Sequence, residues 1–295
     1  MNSTRLNAIL LALLVTVLWS TSWVLIKIGL RNDLPPLSFA GMRYAIAALM
    51  LAPPVLFNAR ERTILFSLKR KDWLNLAMLG IIIYSLAQSA QFISLAYLPA
   101  AMVSLILNLS PAMVGIMSIF WWRERASRMQ WFGIAITLGG TLLYFLPIVE
   151  GRLAVIGIAA ALLGLVTNSG ATLMGRHINL QSHLSPLVIT FVSMGIGSAL
   201  MLLSGGLLYG FGSPSPLDWG IIVWMALVNT AFAFTLWNKT QRTLAPVESS
   251  IILSLMMPLI ALLAWVFLGE TLTGKEIAGL VFVGLGVLIV QGYKV

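Results

Sequence analysis

The sequence predicts an all-α membrane protein: ten transmembrane helices arranged as two inverted five-helix repeats around a central cavity. Three observations predict it. Of 295 residues, 59% are hydrophobic and 9% charged, where a soluble domain carries roughly 25% charge, so the excess apolar surface must face lipid. Apolar runs of about the 20 residues needed to cross a bilayer follow one another along the whole chain. Distinctive residues also recur in register between its two halves.

The spans fall near 6–28, 36–57, 73–95, 99–121, 129–147, 152–174, 184–209, 218–237, 246–267 and 275–292. The first resembles a signal peptide only in that Arg5 precedes it. It runs uncharged from Leu6 to Ile26 with no small-residue cleavage site, so it is expected to be retained. Links such as Ala96-Tyr97-Leu98 are short enough to force neighbouring spans antiparallel.

The net charge of +9 follows from loop basicity and not from nucleic-acid binding. With ten spans, one side of the membrane collects Arg5, Arg60, Arg62, Lys69, Arg70, Lys71, Arg123, Arg125, Arg128, Arg176, Lys239, Arg242 and Lys294. The other has Lys27, Arg31, Arg152 and Lys275. The positive-inside rule then puts both termini in the cytoplasm. The expected location is the inner (cytoplasmic) membrane of a prokaryote.

The repeat boundary is expected near residue 147, giving halves 1–147 and 148–295. Asp72-Trp73 opens the third span and Asp218-Trp219 the eighth. Pro111 lies inside the fourth and Pro258 inside the ninth, each followed by an aromatic-rich helix end and a glutamate, Glu124 and Glu270. Nine residues after each glutamate stands a glycine, Gly133 and Gly279. Five spans per repeat is an odd number, so the second copy crosses the membrane in the opposite sense, as in many secondary transporters.

Trp19-Ser20-Thr21-Ser22-Trp23, Pro111 with Glu124, and Pro258 with Leu268-Gly269-Glu270-Thr271-Leu272-Thr273 and Gly279 resemble the EamA branch of the drug/metabolite transporter superfamily over essentially the whole chain. The first half departs from the pattern at Arg125-Ala126-Ser127 and in a proline–glutamate spacing one residue longer. The resemblance implies export of amino acids or other small metabolites.

Residues 269–276 match seven positions of a phosphate-binding P-loop, but glutamate stands where Ser or Thr must hold magnesium, and no strand precedes it. Gly274 is therefore read as turn chemistry. No catalytic residue, cofactor or metal is expected: there is no cysteine, and His177 and His183 are the only histidines.

What remains is polar and aromatic residues inside apolar spans. Tyr84, Gln88 and Gln91 share one face of span three; glutamine amides facing lipid would be unsatisfied, so the stripe faces protein or a cavity. Thr16, Trp19, Trp23 and Lys27 form a similar stripe on span one, an aromatic wall or simple packing. Ser104, Asn108 and Pro111 on span four, and Ser250, Ser254 and Met257 beside Pro258 on span nine, share the spacing i, i+4, i+7. The two prolines free backbone carbonyls and are expected hinges. Arg43, eight positions into span two, either snorkels or meets a substrate carboxylate. Thr167, Asn168 and Asn229 complete the candidate solute-binding set.

The expected function is alternating-access, facilitative export of a small solute across the bilayer, a neutral or aromatic amino acid before a phosphorylated compound. Only one basic residue is buried in a span, and a proton-driven exporter of lipophilic cations would need a carboxylate deep in the membrane. A channel or membrane-embedded enzyme is the rival from another class. No obligate protein partner is expected.

Overall fold

A computed structural model describes residues 3–31, 34–110, 113–114, 117, 128–145, 152–179, 183–240, 243–244, 252–253 and 255–292. Pro111, Glu124 and Ser254 lie outside the described residues. Regular structure among those described is helical: α1 (Ser3–Leu30), α2 (Pro36–Phe57), α3 (Ala59–Phe66), α4 (Arg70–Gly80), α5 (Gln88–Tyr97), α6 (Ala100–Leu107), α7 (Arg128–Phe145), α8 (Arg152–Asn179), α9 (Pro186–Tyr209), α10 (Pro216–Trp224), α11 (Ala233–Thr240), α12 (Met256–Leu268) and α13 (Gly274–Gly292). Among the described residues, six rods are long and apolar enough to cross a membrane: Arg5–Leu30, Pro36–Phe57, Arg70–Tyr97, Arg152–Gly175, Pro186–Tyr209 and Pro216–Trp237. Trp131–Tyr144 and Met256–Leu268 are shorter apolar helices.

Helix boundaries follow local chemistry. Pro36, Pro186 and Pro216 open their helices, where the missing N–H costs nothing. The two Asp-Trp pairs have the same local role. Asp72 accepts from Lys69 N at 2.9 Å and Asp218 from Ser215 N at 2.8 Å, each carboxylate reaching back to cap its own helix. The short helix α3 falls in the basic loop after span two, where no element is expected; Asn58 caps it by accepting from Arg60 N at 3.0 Å.

The segment resembling a P-loop is a helix stop followed by a helix start. Gly269 ends α12 in the left-handed region at φ 70°, a conformation glycine takes without a Cβ penalty. Thr273 and Glu276 then form a capping box at α13, with Thr273 N donating to Glu276 Oε2 at 2.7 Å and Glu276 N to Thr273 Oγ1 at 3.3 Å.

Two rods are not α-helical throughout. Ile81–Ala87 joins α4 to α5, and Met225–Phe232 joins α10 to α11, each as a π-helical stretch inside an otherwise continuous helix. Spans four and nine are interrupted instead. α6 ends at Leu107, and Leu109 N turns back to Ile106 O at 3.1 Å. Leu255 N makes the equivalent bond to Ile252 O at 3.2 Å just before α12. Pro258 therefore sits in the first turn of α12, three residues after the break and not at the apex of a bend.

Helix pairings come in matched sets. α2 packs on α9 and α7 on α13; α5 packs on α8 as α11 does on α1; α4 packs on α9 as the second π-helical stretch does on α2; α12 packs on α1 as α6 does on α8. Small residues permit the closest approaches. A Cβ on Gly41 would stand 2.7 Å from Leu202 Cα, and one on Gly140 2.8 Å from Gly279 O, nearer than packed Cβ atoms come, which is the small-residue logic of helix association in lipid.

Candidate functional site

The polar and aromatic residues of spans one, two, three and eight converge on one buried cluster. Arg43, on α2, is 4% exposed, so it does not snorkel to a surface. Its Nε donates to Thr230 Oγ1 at 2.9 Å and its Nη2 approaches Ser22 Oγ at 3.4 Å. The guanidinium lies 5.0 Å from the centre of the Tyr44 ring, a cation–π geometry. Among the described residues no carboxylate is within ion-pair distance of it. Taking a guanidinium out of water costs several kcal/mol (about that order) unless an anion or strong hydrogen bonds compensate, and here every partner is neutral.

Around Arg43 stands an aromatic layer. Tyr44 donates its hydroxyl proton to Gln88 Oε1 at 2.7 Å, and its ring centre lies 5.7 Å from that of Tyr84. Tyr84 lies 6.2 Å from Phe234. Phe234 lies 5.1 Å from Trp19, which in turn lies 5.4 Å from Trp237. Trp19 Nε1 donates to Asn229 O at 3.1 Å, and Trp23 is buried one turn along α1.

Asn229 joins α1 to the second π-helical stretch. Its Nδ2 donates to Leu18 O and, at 3.0 Å, to Thr21 Oγ1. Its Oδ1 is buried without a hydrogen-bond partner, although a buried amide oxygen ordinarily finds one. The cluster thus holds one unpaired acceptor and one uncompensated cation between aromatic rings, a combination suited to a small solute carrying both a charged or polar end and an apolar body.

Other sequence candidates lie elsewhere. Thr167 bonds back to Leu163 O at 2.8 Å, and Asn108 Nδ2 to Ser104 O at 2.8 Å, both within their own helices. Gln91 and Asn168 are partly buried and make no side-chain hydrogen bond to a described residue. Met257 and Pro258 line an apolar groove of about 640 Å³ between α12 and α13, together with Ala261, Trp265, Leu280 and Gly284. Sequence reasoning missed Tyr44, Thr230, Phe234 and Trp237. Thr230, Phe234 and Trp237 recur at i, i+4, i+7, a signal that was present in the sequence. Tyr44 is marked only by its neighbour.

The model of the EamA-like transporter family matches twice, over residues 6–146 and 155–291. A protein of Salmonella typhimurium named "Probable amino-acid metabolite efflux pump" is 31% identical over 97% of this chain and 95% of its own. An Escherichia coli protein of the same name is 29% identical over 95% and 93%. A protein of known crystal structure shares the fold at a TM-score of 0.68, with 19% identity and 97% of each chain covered. The chain belongs to the EamA-like transporter family, a multi-pass membrane protein of two tandem family repeats.

Proposed function

From that membership we propose that the chain exports small organic metabolites, neutral or aromatic amino acids above all, by facilitative alternating access. The observation that carries this reading is Arg43, a buried cation with only neutral partners, set among Tyr44, Tyr84, Trp19 and Phe234. A solute carboxylate supplies the missing counter-charge, and the rings receive an apolar or aromatic side chain. The names borne by the Salmonella typhimurium and Escherichia coli relatives support the same class and direction.

The transport cycle is proposed to run on ten spans in two inverted units, 1–147 and 148–295, with both termini in the cytoplasm. The matched helix pairings, and the interruptions of spans four and nine before Pro111 and Pro258, support units that move against each other around the cluster. Discontinuous helices at corresponding places are a recurrent way to build such a hinge.

Uptake of labelled neutral and aromatic amino acids into liposomes carrying the purified protein tests the reading, with and without an imposed pH gradient. Saturable, competable uptake indifferent to the gradient is expected. Uptake of no amino acid removes the substrate class, and uptake of lipophilic cations driven by the gradient replaces it with proton-coupled drug export. Unsaturating current carried by the solute replaces transport with a channel.

A further inference from the structure

The stripe on α1 continues past the cluster into a second cavity. Lys27 lies one helical turn beyond Trp23, and five residues, about 7–8 Å of helix rise, beyond Ser22, the α1 residue that Arg43 touches. It opens with Arg31 into a space of about 360 Å³ whose other walls include Leu95, Ala96, Leu268 and Glu270. The wall charges are two cations and one anion, and the anion is already engaged. Glu270 accepts from Ala100 N at 2.9 Å and from Ala101 N at 3.3 Å, so its two oxygens hold the first turn of α6. Lys27 is partly buried, and neither it nor Arg31 forms an ion pair within 4 Å with a described residue.

We propose that this cavity is a second solute subsite, at the end of the bundle opposite the N-terminus, in which Lys27 and Arg31 take the carboxylate of the transported compound on its way from Arg43. The proposal rests on the carboxylate-bearing solute put forward above, and on the orientation that makes this end the outer one. The chemistry is that of a cationic hand-over. A carboxylate leaving one desolvated guanidinium crosses first to Lys27, partly buried about 7–8 Å of helix rise beyond Ser22, and then to exposed Arg31, about 13–14 Å of rise beyond Ser22. The attraction of a partly buried cation such as Lys27 is screened less than that of a charge in bulk water. Glu270 ties the cavity wall to span four through its two bonds to backbone N–H groups of α6. Its charge acts on Lys27 across the cavity, and with Arg31 beside them the wall keeps one cation in excess for the solute.

The absence of cysteine from this sequence allows a test that needs no transport. Ala96→Cys places a single thiol in the wall, in the purified full-length protein held in detergent and in phosphatidylcholine liposomes. Its reaction with an anionic methanethiosulfonate is expected to outpace that with a cationic one. Benzoate is expected to slow it, while benzamide with matched sodium chloride leaves it unchanged. Adding Lys27→Gln or Arg31→Gln lowers the anionic-to-cationic rate ratio by about threefold or more per charge and abolishes the benzoate effect; Lys27→Arg retains both and controls for folding. A ratio indifferent to both Gln substitutions overturns the proposal, as does protection by benzamide equal to that by benzoate. Protection conferred only by phosphatidylglycerol in the liposomes also overturns it, assigning the cavity to lipid phosphate. Benzoate protection without amino-acid uptake would remove the substrate reading and leave the anion subsite standing.

Discussion

Replacing Arg43 by methionine separates a binding residue from a structural cross-link, because the two roles predict opposite signs for stability. Arg43 makes one good hydrogen bond, 2.9 Å to Thr230, and one long one, 3.4 Å to Ser22. Methionine keeps much of the side-chain volume and loses both. The hydroxyls left behind can bond to carbonyls within their own helices, as Ser22 already does weakly toward Leu18 O at 3.5 Å, so that loss is at most about 1–2 kcal/mol. Against it stands removal of a 4% exposed cation with no anionic partner among the described residues, whose residual desolvation cost is on the order of several kcal/mol. The variant without solute is therefore expected to be as stable as the parent or more so. If the solute carboxylate binds Arg43, the variant forfeits a charge-assisted interaction of about 1.5–3 kcal/mol, roughly 10- to 150-fold in affinity.

Thermal unfolding in detergent reads the first quantity. The ratio of uptake of an aromatic amino acid to that of its decarboxylated amine, in proteoliposomes, reads the second. A raised or unchanged midpoint with a collapsed ratio is expected. A lowered midpoint with the ratio intact would show that Arg43 binds helices together and that the carboxylate is recognised elsewhere.

Three further outcomes are expected. Gly80→Ala drives a Cβ into the carbonyl oxygen of Ser193 on α9 and should lower stability by about 1–3 kcal/mol. Gly220→Ala, with nothing within 4 Å, should be neutral or gain up to about 1 kcal/mol, and equal midpoints for the two would contradict the close α4–α9 packing. Tyr44→Phe and Gln88→Leu, made singly and together, should show a coupling of roughly 0.5–1.5 kcal/mol for the 2.7 Å bond; additive effects in the double-mutant cycle would mean that the bond contributes nothing. Glu270→Ala should strip the cap from α6 at a cost of about 1 kcal/mol and speed hydrogen exchange at Ala100 and Ala101, and unchanged protection there would assign those amides other acceptors.

What the sequence revealed of the fold and the site, and what it hid, has a physical division. Apolar length alone marks a membrane rod, so Pro36–Phe57 is legible to the residue. Tyr84 and Gln88 are legible as one face because polar groups in a span must turn inward. Gln91 follows Gln88 by three residues on the same helix α5, yet only Gln88 meets a side-chain partner, accepting from Tyr44; which amide of one face is engaged depends on the neighbouring helix and not on local spacing. Asn229 stands out as a lone amide in an apolar run. Its neighbour Thr230, which holds Arg43, does not, because threonine is common in membrane helices and usually bonds its own backbone, as Thr16 does to Ala12 O at 2.8 Å. The convergence of α1, α2 and the two π-helical stretches depends on registers between helices far apart in the chain, and no local pattern encodes those. The role of Glu270 at the N-terminus of α6, some 170 residues away, was hidden for the same reason.

The deviations from α-helical geometry carry the remaining step toward mechanism. In a bilayer an uninterrupted α-helix satisfies every backbone group internally, and a departure from it survives only where protein covers the groups it frees. Here the departures recur at matching places in the two halves: π-helical turns at Ile81–Ala87 and Met225–Phe232, and breaks before Leu109 and Leu255. The π-helical pair brings the site residues with it, since Tyr84 lies in one stretch and Asn229 and Thr230 in the other. Both stretches face partners that take up slack: Ser85 donates to Gly197 O on α9 at 2.7 Å, and Thr230 accepts from Arg43 on α2. Each half thus presents its π-helical stretch to the α2–α9 pair, which is itself held close through Gly41 and Gly205. A rearrangement that tightened one stretch and loosened the other would move the Tyr84 side of the cluster against the Asn229 side while leaving the α2–α9 contact in place. Motion and recognition would then be seated in the same residues, with solute binding at Arg43 reporting directly on the backbone that has to move.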